Sequence, residues 1–517
     1  MNIMNMIRNN HYLLLFVSIA LLIIYLQSPY MEMYPRAIHA WAQSDLYALS
    51  KGFLNNGFDL FYPETYTYNK QFPDSWNTAY DATITGGNLP LHQFLIALLM
   101  KLLGSDSPLI YRTYVLYFSL LGVGYLIKLT ELFKLNIWYS LLVVTFAVFS
   151  PVYFYYEANF LTTIPSLALV TGGLYYYFLF LKTEKLGHWH LSICLLGIAV
   201  ITRTTFAIPL IAVLCHQVLI LFQTRTYRPK QLISLVIVVI AWWAQMVHFR
   251  NVSEEYGSVF LMGLRPVDSA GELWNLIFEA AERWKWDYFS MNQWIVYGLI
   301  AFAGCIFIRR KNIIFLKGLG YFLLILFIGN ALFLIFMIKQ FPYHDYYFLD
   351  TMYLIVILSI IAFLSIVPKF HLKLMFPLAA GVLYFFVSSK KDTTEVTWNR
   401  YHYLPEYDYT TRNGIAYMGS KEFIDSVGID HSAKIAVLGN MGANIPFLLM
   451  DRKGYAIDYT NQDVYHLITG WGMDYIIVPD YLLEEDIVKY PYVLKNYTPI
   501  ATNSKISVFK RDLADIE

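Results

Sequence analysis

Of 517 residues, 57% are hydrophobic and only 15% charged, far more apolar surface than one soluble core can use. That balance excludes a soluble globular enzyme and predicts a polytopic α-helical membrane protein. The formal net charge is +1, and its acids and bases gather in a few loops and the C-terminal part, a distribution that suggests no nucleic-acid partner.

The first apolar run, 11–29, is long and lacks a small-residue cleavage site, which predicts a retained first span rather than a removed signal peptide. Further runs near 109–130, 137–156, 161–181, 190–202, 206–223, 231–249, 292–309, 314–338, 347–367 and 372–388 suit a hydrocarbon core of about 30 Å. The stretch "LPLHQFLIALLMKLLG" at 89–104 has 16 residues and carries Pro90, His92 and Lys101, so it is expected to lie at the interface. With that stretch not spanning and Arg8 cytoplasmic, Lys128, Lys134, Lys182, Lys185, Arg225, Arg228, Lys230, Arg309, Arg310, Lys311, Lys369 and Lys373 all fall on the cytoplasmic face. The expectation is eleven crossings of the inner (plasma) membrane, with the N-terminus inside and the C-terminus outside.

The same parity puts loops 30–108, 157–160, 250–291 and 339–346 and the tail from 389 outside. Chemically varied, Tyr- and Trp-rich sequence is thereby confined to one face, which suggests recognition or reaction at the outer surface. The spans hold almost no ionisable residue near a centre, unlike those of an ion-coupled transporter. His216 is the main exception and reads as a packing residue. Cys194, Cys215 and Cys305 all lie inside apolar runs, where they act as small packing groups.

From about residue 395 the composition becomes soluble. "KIAVLG" (434–439), "GYAID" (454–458) and "YIIVP" (475–479) read as buried strands, with "ANIPFLLM" and "NQDVYHLITGW" between them as helices and "YTPIATNSKISVFKR" as a closing hairpin. "GNMGAN" after the first strand has neither a dinucleotide-loop spacing nor a phosphate-loop lysine and reads as a helix start. Two domains are expected: a transmembrane domain over 1–390 with outer loops 30–108 and 250–291, and an extracytoplasmic α/β domain over 391–517.

The first outer loop is the most informative segment. It opens with "MYPRAIHAWAQSDLYALSKGF", an amphipathic helix near 38–54, and carries "LFYP" some way on, then the "PL" that begins the amphipathic stretch ending in "LLG". Arg112 starts the next span, Ser150 and Pro151 close the third, and "YHDYYFLD" (343–350) precedes a late span. Together with "DRKGY" (451–455) in the terminal domain, these segments resemble bacterial membrane glycosyltransferases of the GT-C class, in the group of protein O-mannosyltransferases and lipid A aminoarabinose transferases. The resemblance implies a GT-C fold with about eleven to thirteen transmembrane helices, a large first outer loop and a small terminal α/β domain. It also implies transfer of a sugar from a polyprenyl-phosphate donor to a lipid, glycan or protein acceptor, among membrane lipids.

Such a transfer needs a carboxylate to take the acceptor's proton and donors or cations to steady the departing phosphate. Asp45 matches the family's first-loop acid and is expected to be an exposed base over the donor's arrival site. The family's second acid often sits beside a proline. Here Ile164 precedes Pro165, and Glu157 is the available carboxylate, either as a second catalytic acid or as a side chain at the mouth of a span. For the phosphate, Lys339 and His344 rank first among the outer-face candidates, with Arg203 and Arg265 beside them; Tyr346 shares the loop of His344, and His39 and Gln43 flank Asp45 as substrate-binding candidates. His39 and His92 fit no metal spacing with Asp45, so no structural zinc is expected, while a loosely held divalent cation is compatible with the sequence. Two rival classes are a polysaccharide polymerase or ligase and a flippase for lipid-linked glycan. The former usually relies on outer-loop arginines, the latter on internal repeats, and no convincing repeat is present.

Overall fold

The computed structural model describes residues 3–75, 77–225, 229–260, 263–308, 314–367, 372–402, 409–439, 442–457, 472–486 and 497–512. In chain order the helices are α1 (Ile3–Gln27), α2 (Ala40–Asn55), α3 (Leu91–Leu103), α4 (Pro108–Leu132), α5 (Ile137–Val148), α6 (Pro151–Tyr156), α7 (Thr163–Thr183), α8 (Leu186–Thr202), α9 (Ala207–Thr224), α10 (Leu232–Tyr256), α11 (Ala270–Tyr288) and α12 (Met291–Ile308). There follow α13 (Ile314–Met337), α14 (Tyr347–Asp350), α15 (Met352–Ile366), α16 (Leu372–Tyr401), α17 (Tyr409–Ala416), α18 (Ser420–Ser426), β1 (Ile435–Leu438), α19 (Asn444–Met450), β2 (Gly454–Ile457), β3 (Tyr475–Pro479), α20 (Asp480–Asp486), β4 (Tyr497–Thr502) and β5 (Ile506–Arg511).

Among the described residues six helical segments are long and apolar enough to cross a membrane: His11–Tyr30, Pro108–Leu132, Thr163–Thr183, Thr204–Thr224, Pro229–Tyr256 and Gly318–Gln340. A seventh is the pair α11 and α12, bent by 98°. The remaining expected spans differ for local reasons. The run 137–156 breaks at Phe149, where Ser150 and Pro151 begin a new short helix. The run 347–367 breaks at Thr351, whose φ of −125° and ψ of −89° end one helical turn and leave 15 residues in α15. The run 372–388 continues as one helix to Tyr401, well past the end of the apolar stretch. The basic residues Arg228, Arg309, Arg310, Lys311 and Lys369, and the expected helix "NQDVYHLITGW", lie outside the described residues.

Internal contacts divide the chain into two units: Met1–Met31, Arg112–Ala244 and Gly263–Asn399 form the first, and Glu32–Tyr111, Gln245–Met262 and Arg400–Glu517 the second. In the first unit, α7 and α8 pack closely through small residues. A Cβ on Gly173 would lie 2.7 Å from Leu196 Cγ, and Ser192 donates to the Gly173 carbonyl at 2.7 Å. Segments expected at opposite faces separate to opposite ends of this unit. Gln27, at the end of α1, meets Glu157, whereas Tyr12 near its start donates to the Leu135 carbonyl in the loop between α4 and α5. The α11 helix starts on Ser269, which accepts from the Glu272 amide, while Glu272 reaches back to the Asp268 amide.

The second unit joins the first outer loop to the C-terminal segment. Its sheet has the order β2-β1-β3-β5-β4, with β1 parallel to both β2 and β3 and with antiparallel β3/β5 and β5/β4 pairs. The hairpin and the βαβ arrangement are those expected from the sequence. Ala436, Leu438, Ile457, Ile476, Val478 and Phe509 fill its core. The free edge at β2 is covered by the first loop: Gly454 N–H donates to Tyr66 O at 3.1 Å and Tyr68 N–H to Gly454 O at 3.2 Å. Tyr68 stacks on Tyr455, whose hydroxyl meets Asp81. The α3 helix stops at Gly104 (φ +63°), with Ser105 N–H to Met100 O and Gly104 N–H to Lys101 O closing the end.

Candidate functional site

One group of chemically active side chains gathers in the first unit, where the ends of α1, α4, α6, α8 and α14 meet. Glu157 follows α6 and is fully buried, not a side chain snorkelling from the mouth of a span. Its Oε1 accepts from Gln27 Nε2 at 2.9 Å and its Oε2 from Ser119 Oγ at 3.3 Å. Ser119 in turn lies 3.1 Å from the Tyr153 hydroxyl. Burial pushes the Glu157 carboxyl up to about 8, against the opposing pull of those two donors. Arg112, also fully buried, donates to the Ala158 carbonyl at 2.7 Å and lies over the Phe160 ring.

Beside this group, the segment "YHDYYFLD" brings in two carboxylates that sequence reasoning did not single out. Asp345 accepts from the Tyr156 hydroxyl at 2.7 Å, one residue before Glu157. Asp350 is paired with Arg203, which extends the buried Arg203 site by a hydrogen bond from Thr205 at 3.1 Å. Arg203 also lies 5.4 Å from the centre of the Tyr346 ring, on which His344 stacks within 6° of parallel. Arg203, His344 and Tyr346, all candidates from the sequence, are therefore brought together inside this unit. Lys339 is not with them: it sits 3.0 Å from both Asp268 and Glu272, so its charge is already matched. Asp345 and Asp350 stand in the sequence as two acids in an aromatic loop, whereas a phosphate site calls for cations and hydrogen-bond donors.

A small apolar cleft lies next to this group, lined by Gly122, Val123, Tyr153, Leu167, Tyr353 and Ile357 among others. Tyr153 connects it to Glu157 through Ser119.

Asp45 belongs to the second unit. The expectation of an exposed carboxylate is corrected: the residue is 6% exposed. The cause is the packing of α2 against α19, which buries most of the helix from Gln43 to Phe53. Asn444, the first residue of α19, donates its side-chain amide to Asp45 Oδ1 at 2.8 Å. Desolvation raises the Asp45 pKa to about 7, with the Asn444 hydrogen bond opposing the rise. His39 caps the start of α2 in a left-handed conformation (φ +57°), and Gln43 is buried with its amide donating to Ile38 O at 2.7 Å. Both therefore fix the first turn of the helix that carries Asp45. His92, on α3, is buried and pushed down to about 3 by loss of solvent. Among the described residues, no three His, Cys, Asp or Glu side chains converge as a metal site.

Comparison with known proteins agrees with this architecture. The family profile described as dolichyl-phosphate-mannose-protein mannosyltransferase matches residues 88–248. No curated protein sequence matches the chain. Among solved structures, ArnT from Cupriavidus metallidurans bound to undecaprenyl phosphate superposes with a TM-score of 0.60 at 10% identity, covering 98% of each chain. The apo form of the same protein gives 0.61 at 12% identity, covering 97% of this chain and 98% of that one. The mycobacterial arabinofuranosyltransferase AftD gives 0.52 at 11% identity, covering 97% of this chain and 40% of that one. The chain thus has a GT-C type fold: a multi-pass helical membrane protein with a large first loop and a small terminal sheet domain.

Proposed function

We propose that this protein transfers a sugar from a polyprenyl-phosphate donor to an acceptor hydroxyl at the outer face of the membrane. The observation that carries the reading is the family match over residues 88–248, because that segment contains the buried Glu157 and Arg203, the partner of the buried Asp350 in the first unit. An end-to-end fold shared with a protein solved with undecaprenyl phosphate supports the same donor class.

In a single displacement, the acceptor oxygen attacks the anomeric carbon as the bond from that carbon to the phosphate oxygen breaks. The bonding electrons leave with the phosphate, the acceptor proton passes to a carboxylate, and the anomeric configuration inverts. Asp45, by its place in the first outer loop, is the candidate base, and Glu157 of the first unit is the alternative carboxylate. Arg203, itself held by Asp350, lies against Tyr346, on which His344 stacks, and His344 and Tyr346 are the groups that steady the departing phosphate.

The test incubates purified protein with a panel of polyprenyl-phosphate sugars and follows loss of lipid-linked sugar. Consumption of one of them supports the reading; turnover of nucleotide sugars with none of the lipid-linked donors consumed overturns it.

A further inference from the structure

Within the second unit, Asn444 has an orientation that its neighbours dictate. Its Oδ1 accepts from the Tyr66 backbone amide at 3.0 Å, and a backbone N–H has no use for a second donor. The Nδ2 group must therefore face the other way, where it meets Asp45 Oδ1 at 2.8 Å. The residue is fully buried, so water does not compete for either contact. The C-terminal domain thus presents one neutral, directed donor to the acid of the first loop.

Among the described residues no cation is bonded to Asp45. Charged and titratable groups on the elements packed around α2 make their contacts with other residues. Lys51 of α2 pairs with Asp106 at 2.9 Å, Lys101 of α3 lies over Phe58, and Arg412 of α17 lies over Tyr481. Asp451, just after α19, is held by Lys421 and by the Tyr66 hydroxyl, and His92 of α3 is kept neutral. Among the described residues Asn444 is the sole side chain bonded to Asp45. A buried carboxylate with one neutral donor and no counter-ion costs stability, so a contact needed only for packing would be made more favourably by an apolar pair.

We infer that Asn444 is a positioning residue for Asp45: it fixes one carboxylate oxygen and leaves the other to receive the acceptor's proton. This rests on the reading of Asp45 as the base. In that arrangement the terminal α/β domain is part of the catalytic apparatus, acting through a single amide. Asn444 also favours the ionised form, because its N–H bonds a charged carboxylate more strongly than a neutral carboxyl.

The test compares Asn444→Ala and Asn444→Asp in the full-length protein, by two measurements. The first is the pH dependence of the transfer rate. The second is the pH titration of the Asp45 carboxyl by difference infrared spectroscopy, with Asp45→Asn identifying its band. Asn444→Asp keeps an acceptor for the Tyr66 amide and so preserves the local fold, while placing a second carboxyl against the first. In both variants the Asp45 titration and the acidic limb of the rate profile should move to higher pH, by about one unit for Asn444→Ala, as expected for loss of a hydrogen bond to a charged group. The shift should be larger for Asn444→Asp, and activity should partly recover as the pH is raised. An unmoved infrared titration in both variants overturns the inference, whatever happens to the rate. A titration that moves while the rate profile does not leaves Asn444 in control of Asp45 and removes Asp45 from the role of base.

Discussion

Arg203 grips Asp350 from 147 residues away, with Nε 2.9 Å from Oδ1 and 2.8 Å from Oδ2, and Nη2 2.6 Å from Oδ2. The carboxylate is wholly buried and the guanidinium nearly so. Removing one partner strands a charge, so Arg203→Ala should lower stability by about 3–5 kcal/mol. The double variant Arg203→Met with Asp350→Leu should recover much of the loss. Unfolding in detergent measures both, and a single variant as stable as wild type would show that the pair is not structural.

Asp45→Asn keeps the shape of the side chain and an oxygen for Asn444 while removing basicity. Transfer should fall by roughly 10²- to 10⁴-fold. Because the wild-type carboxylate is buried with its pKa raised, stability at pH 8 should be equal or higher in the variant. Asp45→Glu should keep some activity, since a displacement of about 1 Å costs on the order of 10²-fold. Asp59→Asn is the control: that residue is exposed and caps the Phe61 amide at 2.9 Å, a contact the amide side chain can still make. Wild-type rates from Asp45→Asn at matched protein levels would rule out this base.

Much of this arrangement was legible from local sequence. Apolar runs located the long helices, "LLG" marked the end of α3, and alternation of short apolar strands with helices gave the terminal βαβ sheet. Those features depend on residues a few positions apart. The burial of Asp45 depends on Asn444, 399 residues away, and no periodicity encodes a contact of that range. The same holds for Glu157 and its partner Gln27, 130 residues apart. The breaks at Phe149 and Thr351 carry local signals, Ser150 and Pro151 at the first and Asp350 at the second, which disappear when hydropathy is averaged over a whole span.

Glu157 gives a stability signature of its own. Its carboxyl is raised from an ordinary 4.5 to about 8 in the folded protein. Between those values the native state holds a proton that the unfolded state has lost, so stability should fall as the pH rises from about 4.5 through 8, at about 1.4 kcal/mol per pH unit. Glu157→Gln should flatten that dependence and raise the melting temperature above pH 7. Thermal unfolding from pH 5 to 9 decides, and parallel curves for the two proteins would place the titration elsewhere.

The charge pattern predicts an extracytoplasmic C-terminus. A reporter should be placed after the last residue rather than near Glu395, because α16 runs unbroken to Tyr401 and an insertion at 395 would interrupt it. Reporter activity outside the cytoplasm is the expected result. A cytoplasmic signal would mean an even number of crossings and would put the proposed base on the wrong face.

The pairing of residues 66–68 with Gly454, and of Asp45 with Asn444, also constrains how the protein is made. At roughly 5–20 residues per second, about 20 to 80 seconds separate the synthesis of Asp45 from that of the amide that holds it. Throughout that interval the first loop lacks the sheet edge it will pair with, leaving apolar and aromatic side chains open to chaperones and proteases. Completion of the last strands, not emergence of the loop itself, is then the event that commits the second unit to its native state. A nascent chain stalled before residue 444 should accordingly carry a protease-sensitive first loop on helices that are already inserted.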